Sequence, residues 1–427
     1  MGSLYANRSF RRLFAGRLVT NAGDSLYAVA AMWLVYDLTG STFYTGLAGA
    51  LTMGPQLLQA FVGPLVDRWP VRRLLVTTQL IQAVVVLAVP VAWYAGVRSV
   101  ELVLVVVPAL SLLNQAVYPA QNAALPRIVD SEDLPAANAA FSFAYQGADL
   151  VFNGIAGALI AIVGAVALYA IDSLTFLAAA VLFAGVVVPA RRASDSKDAG
   201  RDESTAEAGG SPAAATDGGE SASYRTRLSE GFAFVRGTPI VWMLGGGVLA
   251  NGLLGATMAV LPAYADGLGG ASAYGTIRAA TAAGLLVGAL AGSKLAGVGF
   301  ARLWVGGFLA SGVAWFAALA SPSLWLTAVA FAVALVPVGV TNVLAATMIQ
   351  RMVPDDFLGR VSAILGSASV AVMPVGSLLG GSLGEVVGPL TTMALGGVGL
   401  LSVAVYVLAV PSLRRLPPVS ETTMLDA

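Results

Sequence analysis

The sequence predicts an all-α membrane protein with twelve transmembrane helices in two pseudo-symmetric six-helix halves. Of its 427 residues, 57% are hydrophobic and only 11% are charged, and the mean hydropathy is +0.81. A water-soluble globule of this composition would lack the polar residues that cover a surface. Apolar runs of about 20 residues, the length that spans a bilayer, recur six times before a polar gap and six times after it.

The apolar runs give the helices in order. They lie at 18–38, 45–66, 74–96, 100–122, 136–163 and 166–189, and then at 239–265, 273–295, 302–320, 323–349, 358–386 and 389–411. The boundaries that follow are 1–189 for the first half, 190–236 for a cytoplasmic linker, 237–411 for the second half and 412–427 for a cytoplasmic tail. Ser, Gly, Ala and charged residues dominate the linker, which predicts flexibility, and 224–236 have the spacing of a short amphipathic helix.

The basic residues predict the orientation in the membrane. All but Arg98 and Arg278 of the 23 Lys and Arg residues fall in segments that share one side if both termini are cytoplasmic. Basic residues stay on the cytoplasmic side during insertion. The first apolar run is long and lacks a cleavage site, so it is not a signal peptide. We therefore expect a multi-pass protein of the plasma or inner membrane with both termini inside.

The absence of Cys and His from the sequence limits its chemistry. Disulfides, thiolate nucleophiles, haem or zinc ligation and imidazole proton relays are excluded, so any proton chemistry must use Asp or Glu. The tripeptide at 292–294 lacks the residue order of a phosphate-binding loop. We expect no enzyme activity, cofactor, metal or nucleic-acid partner, and a monomer in the lipid bilayer that uses an ion or substrate gradient.

The two halves are faint copies of one another. A shift of 229 residues pairs Gly46 with Gly275 and Arg73 with Arg302, and a shift of 224 pairs Arg127 with Arg351. Duplicated halves are typical of transporters, whose substrate site lies between the repeats near the midplane.

One segment, Gly63-Pro64-Leu65-Val66-Asp67-Arg68-Trp69-Pro70-Val71-Arg72-Arg73, resembles the loop between helices two and three of the major facilitator superfamily. Gly63, Asp67, Arg68, Arg72 and Arg73 match, and Pro70 stands where Gly is usual. The segments 7–11, 23–24, 33–41, 119–123 and 350–361 are similar to the branch of drug:proton antiporters that contains macrolide-efflux proteins and the enterobactin exporter. The resemblance implies a proton-driven exporter of amphipathic small molecules, with the matching loop residues as a cytoplasmic latch.

The fifth helix carries the first proton-coupling candidate. Asn138, Ser142, Tyr145, Asp149 and Asn153 recur at steps of three or four, which places them on one helical face, with Gln146 beside them. Asp149 lies about 20 Å along the helix, where a carboxylate is costly unless protonated, paired or hydrated. The alternative is a structural carboxyl. The resemblance also reveals a departure: Phe152-Asn153 replaces the Gly-Pro step of the family's antiporters, although Gly154 and Gly157 follow.

Asp24 is the second proton-coupling candidate. It forms a polar patch with Asn21 and Ser25 on the first helix, and the alternative is a role in helix packing. Asp172 is expected near the outer start of helix six, stabilised there by the helix dipole.

Arg278 is the one basic residue expected inside the membrane. It would pair with Asp149 or meet an anionic substrate, and the alternative is that it snorkels to the outer surface. Further candidates for cavity polarity, which otherwise bond helix to helix, are Gln56, Gln59, Asn114, Tyr118, Asn251 and Asn342.

These features predict a secondary transporter that exports drug-like or macrolide-like amphipathic molecules in exchange for protons by alternating access. The first alternative is an exporter or facilitator of an endogenous metabolite such as a siderophore. The second is a non-transporting membrane receptor or scaffold.

Overall fold

The computed structural model describes residues 2–58, 69–130, 132–189 and 232–424, and it contains helices and no strands in these ranges. The predicted linker and its amphipathic helix therefore lie outside the described residues, apart from a helical turn at 232–236. Within the described ranges, nine helices are long and apolar enough to cross a membrane. The chain is thus a multi-span helical protein.

Within the described residues, the helices coincide with the predicted spans, and the predicted span 45–66 lies partly outside these residues. The first group of helices is α1 (Gly2–Ala6), α2 (Arg8–Thr39), α3 (Thr42–Met53), α4 (Val71–Tyr94), α5 (Val100–Ile128), α6 (Leu134–Val163) and α7 (Ala165–Ala184). The second group is α8 (Ile240–Gly292), α9 (Phe300–Ala320), α10 (Leu324–Met352), α11 (Asp355–Val387), α12 (Pro389–Ala409) and α13 (Pro411–Arg414). Short 3-10 helices occupy Gly54–Leu58, Ser293–Leu295 and Val419–Glu421.

Two predicted spans form one helical element, α8. Its backbone leaves helical geometry at Gly269 and Gly270, where φ is 140° and 71°. Residues with a side chain rarely adopt these angles, so the glycines permit the break. The kink divides α8 into segments 240–268 and 271–292, which correspond to two of the predicted spans.

The two ends of the helix bundle differ in their loops and charges. One end, the turn end, contains the tight connections at Gly40, Gly164 and Gly388, whose positive φ angles suit glycine. The other, the arginine-rich end, carries the basic residues that begin α2 and α4 and end α5 and α10. Arg98 is at the turn end, where its guanidinium lies 4.6 Å from the centre of the Trp93 ring, a favourable cation–π distance.

Small residues set the packing of α2 against α7 in the first group. Gly16 of α2 faces the Phe183 ring and Gly23 faces Asp172 and Thr175, and a Cβ atom at either glycine would collide with these side chains. Positions seven apart lie on one helical face, so the two glycines form a groove for α7. This groove brings Asp172 against the backbone of α2.

Candidate functional site

The two groups of helices meet along two pairs of helices, α6 with α8 and α3 with α11. Glycine contacts bring the backbones together in both pairs: Gly157 lies against Gly275, and Gly46 lies against Gly381. Small residues at helix interfaces permit such approaches in membranes. All four glycines lie toward the turn end of their helices.

Hydrogen bonds reinforce the α3–α11 contact at the turn end. The Thr42 hydroxyl donates to the Gly381 carbonyl oxygen at 2.8 Å, and the Ser377 hydroxyl donates to the Gly46 carbonyl oxygen at 3.0 Å. The Glu385 carboxylate accepts from the Phe43 amide at 3.1 Å and from the Ser41 hydroxyl. These hydrogen bonds between the groups lie in the half of the bundle that contains the turn end.

Arg278 forms the deepest of these links. Its Nη2 donates to Asn153 Oδ1 at 2.6 Å, which joins α8 to α6, and its Nη1 lies 3.0 Å from the sulfur of Met258. The Nε atom is buried and has no partner among the described residues. Beside it, the Tyr274 ring stacks on Trp33 of α2 with centroids 5.8 Å apart. A cationic group with an unused donor therefore lies at the boundary between the two groups.

Asp149 is one helical turn from Asn153 on α6, toward the arginine-rich end. The backbone at this position is helical, and its side chain lies outside the described residues, as do those of Tyr118, Tyr145 and Gln146. Whether Asp149 and Arg278 pair stays a prediction. The positions of Gln59, Gly63, Asp67 and Arg68 also lie outside the described residues, whereas Arg72 and Arg73 are exposed at the start of α4.

Asp24 lies within the first group, partly exposed near the middle of α2. Its Oδ2 accepts from Asn114 Nδ2 of α5 at 3.0 Å, so two predicted site residues are brought together. Asn21 is buried and donates to the Ala144 carbonyl oxygen of α6 at 3.1 Å. Thus Asn21 joins two helices, while Asp24 remains accessible.

The remaining predicted cavity residues are dispersed. Asn251 donates to the Gly247 carbonyl oxygen within its own helix at 3.0 Å. Gln56 and Asn342 are exposed. The structure does not gather these three around Arg278 through any described hydrogen bond.

Asp172 differs from the sequence expectation. It is the eighth residue of α7 rather than part of its first turn, and its exposed fraction is 0%. A residue so far along a helix gains little from the dipole of the N-terminus. Hydropathy alone missed this position because a single Asp in an apolar run gives no information about which face of the helix is buried.

The fold and this interface define a secondary transporter: a multi-span helical protein whose two groups of helices meet around a polar boundary. A family model described as "Major Facilitator Superfamily" matches residues 13–298. The chain therefore belongs to the major facilitator superfamily.

Two curated relatives support this assignment. The chain is 26% identical over 401 residues to the uncharacterized MFS-type transporter YvqJ of Bacillus subtilis (strain 168), covering 92% of this chain and 89% of the relative. It is 31% identical over 211 residues to the enterobactin exporter EntS of Escherichia coli O139:H28 (strain E24377A / ETEC). That second match covers 45% of this chain and 47% of EntS, so it spans about half of each protein.

Solved structures share the fold at low sequence identity. A bacterial homologue of the human lysosomal transporter Spinster, in an inward-facing and occupied conformation, has a TM-score of 0.66 and 14% identity and covers 97% of this chain and 96% of its own. A bacterial homologue of the iron transporter ferroportin, in an inward-facing state, has a TM-score of 0.64 and 16% identity and covers 93% and 98%.

Proposed function

We propose that this transporter exports amphipathic small molecules from the cytoplasm in exchange for protons, by alternating access between its two six-helix halves. The observation that carries the proposal is the set of hydrogen bonds and glycine contacts that joins the two groups toward the turn end. Twelve helices result if α8 is counted as two and α3 continues beyond Leu58. A monomer is sufficient, because each proposed role uses residues of one chain.

The charge distribution supports an orientation of the protein in the membrane. Basic residues favour the cytoplasmic side, which assigns the arginine-rich end and both termini to the cytoplasm and the turn end to the cell exterior. The contacts at the turn end then close the outer side of the protein in the cell membrane. This is the state in which an exporter loads its substrate from the cytoplasm.

Proton exchange in this proposal uses the acids of the membrane interior. Asp149 carries the coupling proton, and Asp24 is the second candidate. When the turn end opens and the arginine-rich end closes, Arg278 leaves Asn153. It then pairs with the ionised Asp149, one helical turn nearer the arginine-rich end of α6, or with an anionic group of the substrate. Gly63, Asp67, Arg68, Arg72 and Arg73 form the latch that closes the cytoplasmic side in the other conformation.

Flux in proteoliposomes tests this proposal. With an imposed pH gradient, Asp149→Asn is expected to abolish uphill transport and preserve downhill exchange, because an amide cannot carry the proton. Asp24→Asn should have a milder effect. If Asp149→Asn transports uphill at the wild-type rate, coupling moves to Asp24 or the protein is a facilitator.

Export of an endogenous, siderophore-like metabolite is the second candidate. The 31% identity to an enterobactin exporter over about half the chain favours it. A panel of macrolides, dyes and catecholate siderophores separates the two candidates, since each predicts a different class of transported compound. A lack of flux for every compound would favour the receptor or scaffold alternative.

A further inference from the structure

A second polar cluster lies inside the first group of helices, away from the boundary between the groups. We call it the acid cluster: Asp24 and Tyr27 of α2, Asn114 of α5, and Tyr169, Asp172 and Thr175 of α7. The Tyr27 and Tyr169 rings are in edge contact with centroids 6.2 Å apart. Asp172 lies against Gly23, the neighbour of Asp24. Two acids on facing helices therefore share one buried region.

Asp172 accepts too few hydrogen bonds for an ionised carboxylate. An ionised carboxylate has about four acceptor sites, and a buried charge needs partners. The Oδ2 atom of Asp172 is buried and has no partner among the described residues, and the Tyr169 hydroxyl is also buried and unpartnered there. The only described donor to the Asp172 carboxyl is the hydroxyl of Thr175.

The Thr175 hydroxyl indicates where a proton is held. Its oxygen lies 2.8 Å from the carbonyl oxygen of Asp172 and 2.9 Å from Asp172 Oδ1. A hydroxyl has one hydrogen and two acceptor lone pairs. If that hydrogen bonds the backbone carbonyl, a proton on Oδ1 completes the geometry by donating to the hydroxyl oxygen. The neutral form of Asp172 thus satisfies contacts that the ionised form leaves unmade.

The elements packed against Asp172 bring several titratable side chains to this cluster. α2 contributes Asp24 and Tyr27, and α7 itself contributes Tyr169. From α4, Ala83 receives the neighbouring hydrogen bond of Ser173 at 2.9 Å, and the adjacent Gln79 and Gln82 are buried but do not titrate. Arg17, on α2, is seven residues from Asp24, about 10 Å along the helix.

We propose that Asp172 is a proton-binding residue of the first group of helices, and that Asp24, which is partly exposed, passes the proton between Asp172 and the water-accessible interior. The proton leaves a carboxyl oxygen of Asp172, binds a carboxylate oxygen of Asp24 and is then released to water. The inference rests on the proposed proton coupling and adds a proton site separate from Asp149. Because Asp172 lies in the α2–α7 groove, its ionisation alters the packing of these helices.

The variant Asp172→Asn tests this role, since the amide retains the shape and can still bond Thr175. A structural carboxyl would tolerate the change. We expect substrate-coupled proton movement in proteoliposomes to be lost, because an amide cannot carry the proton, with downhill flux retained. Ser173→Ala is the matched control, because it removes a buried hydrogen bond of the same helix without removing an acid; its proton movement should match wild type.

Infrared difference spectroscopy of the purified protein gives a readout independent of transport. The measurement uses an Asp149→Asn background, which removes the other proposed proton carrier. In that background the carbonyl band of a protonated carboxyl should be present with Asp172 and with Asp24→Asn, and absent with Asp172→Asn. If this band is present but the wild-type protein shows no substrate-coupled proton movement, the proposed function is wrong and the proton site at Asp172 is supported. Unchanged coupling and an unchanged band in Asp172→Asn would overturn the proton site. A signal at this carboxyl that depends on sodium at constant pH, in place of the band, would also overturn the proton site, because it would show that Asp172 binds a metal cation instead.

Discussion

The residue that contributes most to the boundary between the groups is Arg278. A guanidinium near the centre of a bilayer costs about 2.5–3.5 kcal/mol on insertion scales. The hydrogen bond from Nη2 to the Asn153 oxygen offsets part of this cost. Because Asn153 belongs to the other group of helices, the bond breaks whenever the groups separate there. Arg278 then needs another acceptor. Asp149, one helical turn nearer the arginine-rich end of α6, or a substrate anion is the expected partner.

Replacement of Asn153 tests the value of this bond. Asn153→Ala leaves a partly buried charged donor without this acceptor, and loss of such a bond costs about 1–3 kcal/mol. We expect a lower thermal unfolding temperature in detergent and slower transport. Asn251→Ala is the matched control, because the described hydrogen bond of the Asn251 amide lies within its own helix. Equal losses of thermal stability and transport in both variants would show that the hydrogen bond between Arg278 and Asn153 contributes no more than a bond within one helix.

At the scale of the helices, the glycine contacts set how closely the two groups approach. A Cβ atom at Gly157 would overlap the backbone of Gly275, and one at Gly46 would meet the backbones of Ser377 and Gly381. A backbone cannot move aside as a flexible side chain can, so these positions permit closure only with glycine. The same glycines also provide packing at an interface where lipid offers no hydrophobic driving force.

Gly157→Ala is therefore expected to hold the turn ends of α6 and α8 apart and to reduce transport. The sequence contains no Cys, so spin labels can be attached at Val97→Cys and Trp325→Cys, both exposed side chains near the turn end. One label lies in each group of helices, and the distance between the labels reports how far apart the two groups are at this end. Their distance should increase in Gly157→Ala. The control Gly247→Ala has open space around the added methyl and should leave the distance unchanged. An unaltered distance in Gly157→Ala would contradict the closure role.

Hydropathy predicted the helices well because each span must satisfy its backbone hydrogen bonds internally and carry an apolar surface. The spans at 239–265 and 273–295 illustrate the limit: the sequence separated them by a gap, whereas the chain turns there within two residues, Gly269 and Gly270. Periodicity shows which residues share a face of a helix but not which neighbour the face meets. The sequence therefore grouped Asn21 with Asp24, whereas the structure separates their partners, Ala144 and Asn114.

At the scale of the whole molecule, the two groups touch mainly through α3, α6, α8 and α11, with a smaller contact between α2 and α8. Their pairing could not be predicted from one sequence, because it depends on how the two groups of helices dock. The faint repeat predicted that two similar units exist, and the basic residues predicted which end faces the cytoplasm. The burial of Asp172 could not be predicted either, because it arises from the docking of α2 against α7 within the first group.

A disulfide between the groups tests whether this boundary must open during transport. An ideal Cβ atom at Gly154 would lie 3.7 Å from the Cβ of Ala279, within the usual Cβ separation of a disulfide, about 3.5–4.5 Å. In the double variant Gly154→Cys and Ala279→Cys, oxidation should join α6 to α8. A protease site placed between 204 and 219 then separates the two halves on a gel unless the disulfide holds them together.

We expect the oxidised variant to lose transport and to recover it on reduction, because alternating access requires α6 and α8 to part at their meeting point. Each single variant is the matched control and should be insensitive to oxidant, since one thiol cannot close the link. Full transport by the cross-linked protein would contradict separation at Gly154 and Ala279. The moving boundary would then lie elsewhere, with α3 and α11 as the next pair to cross-link.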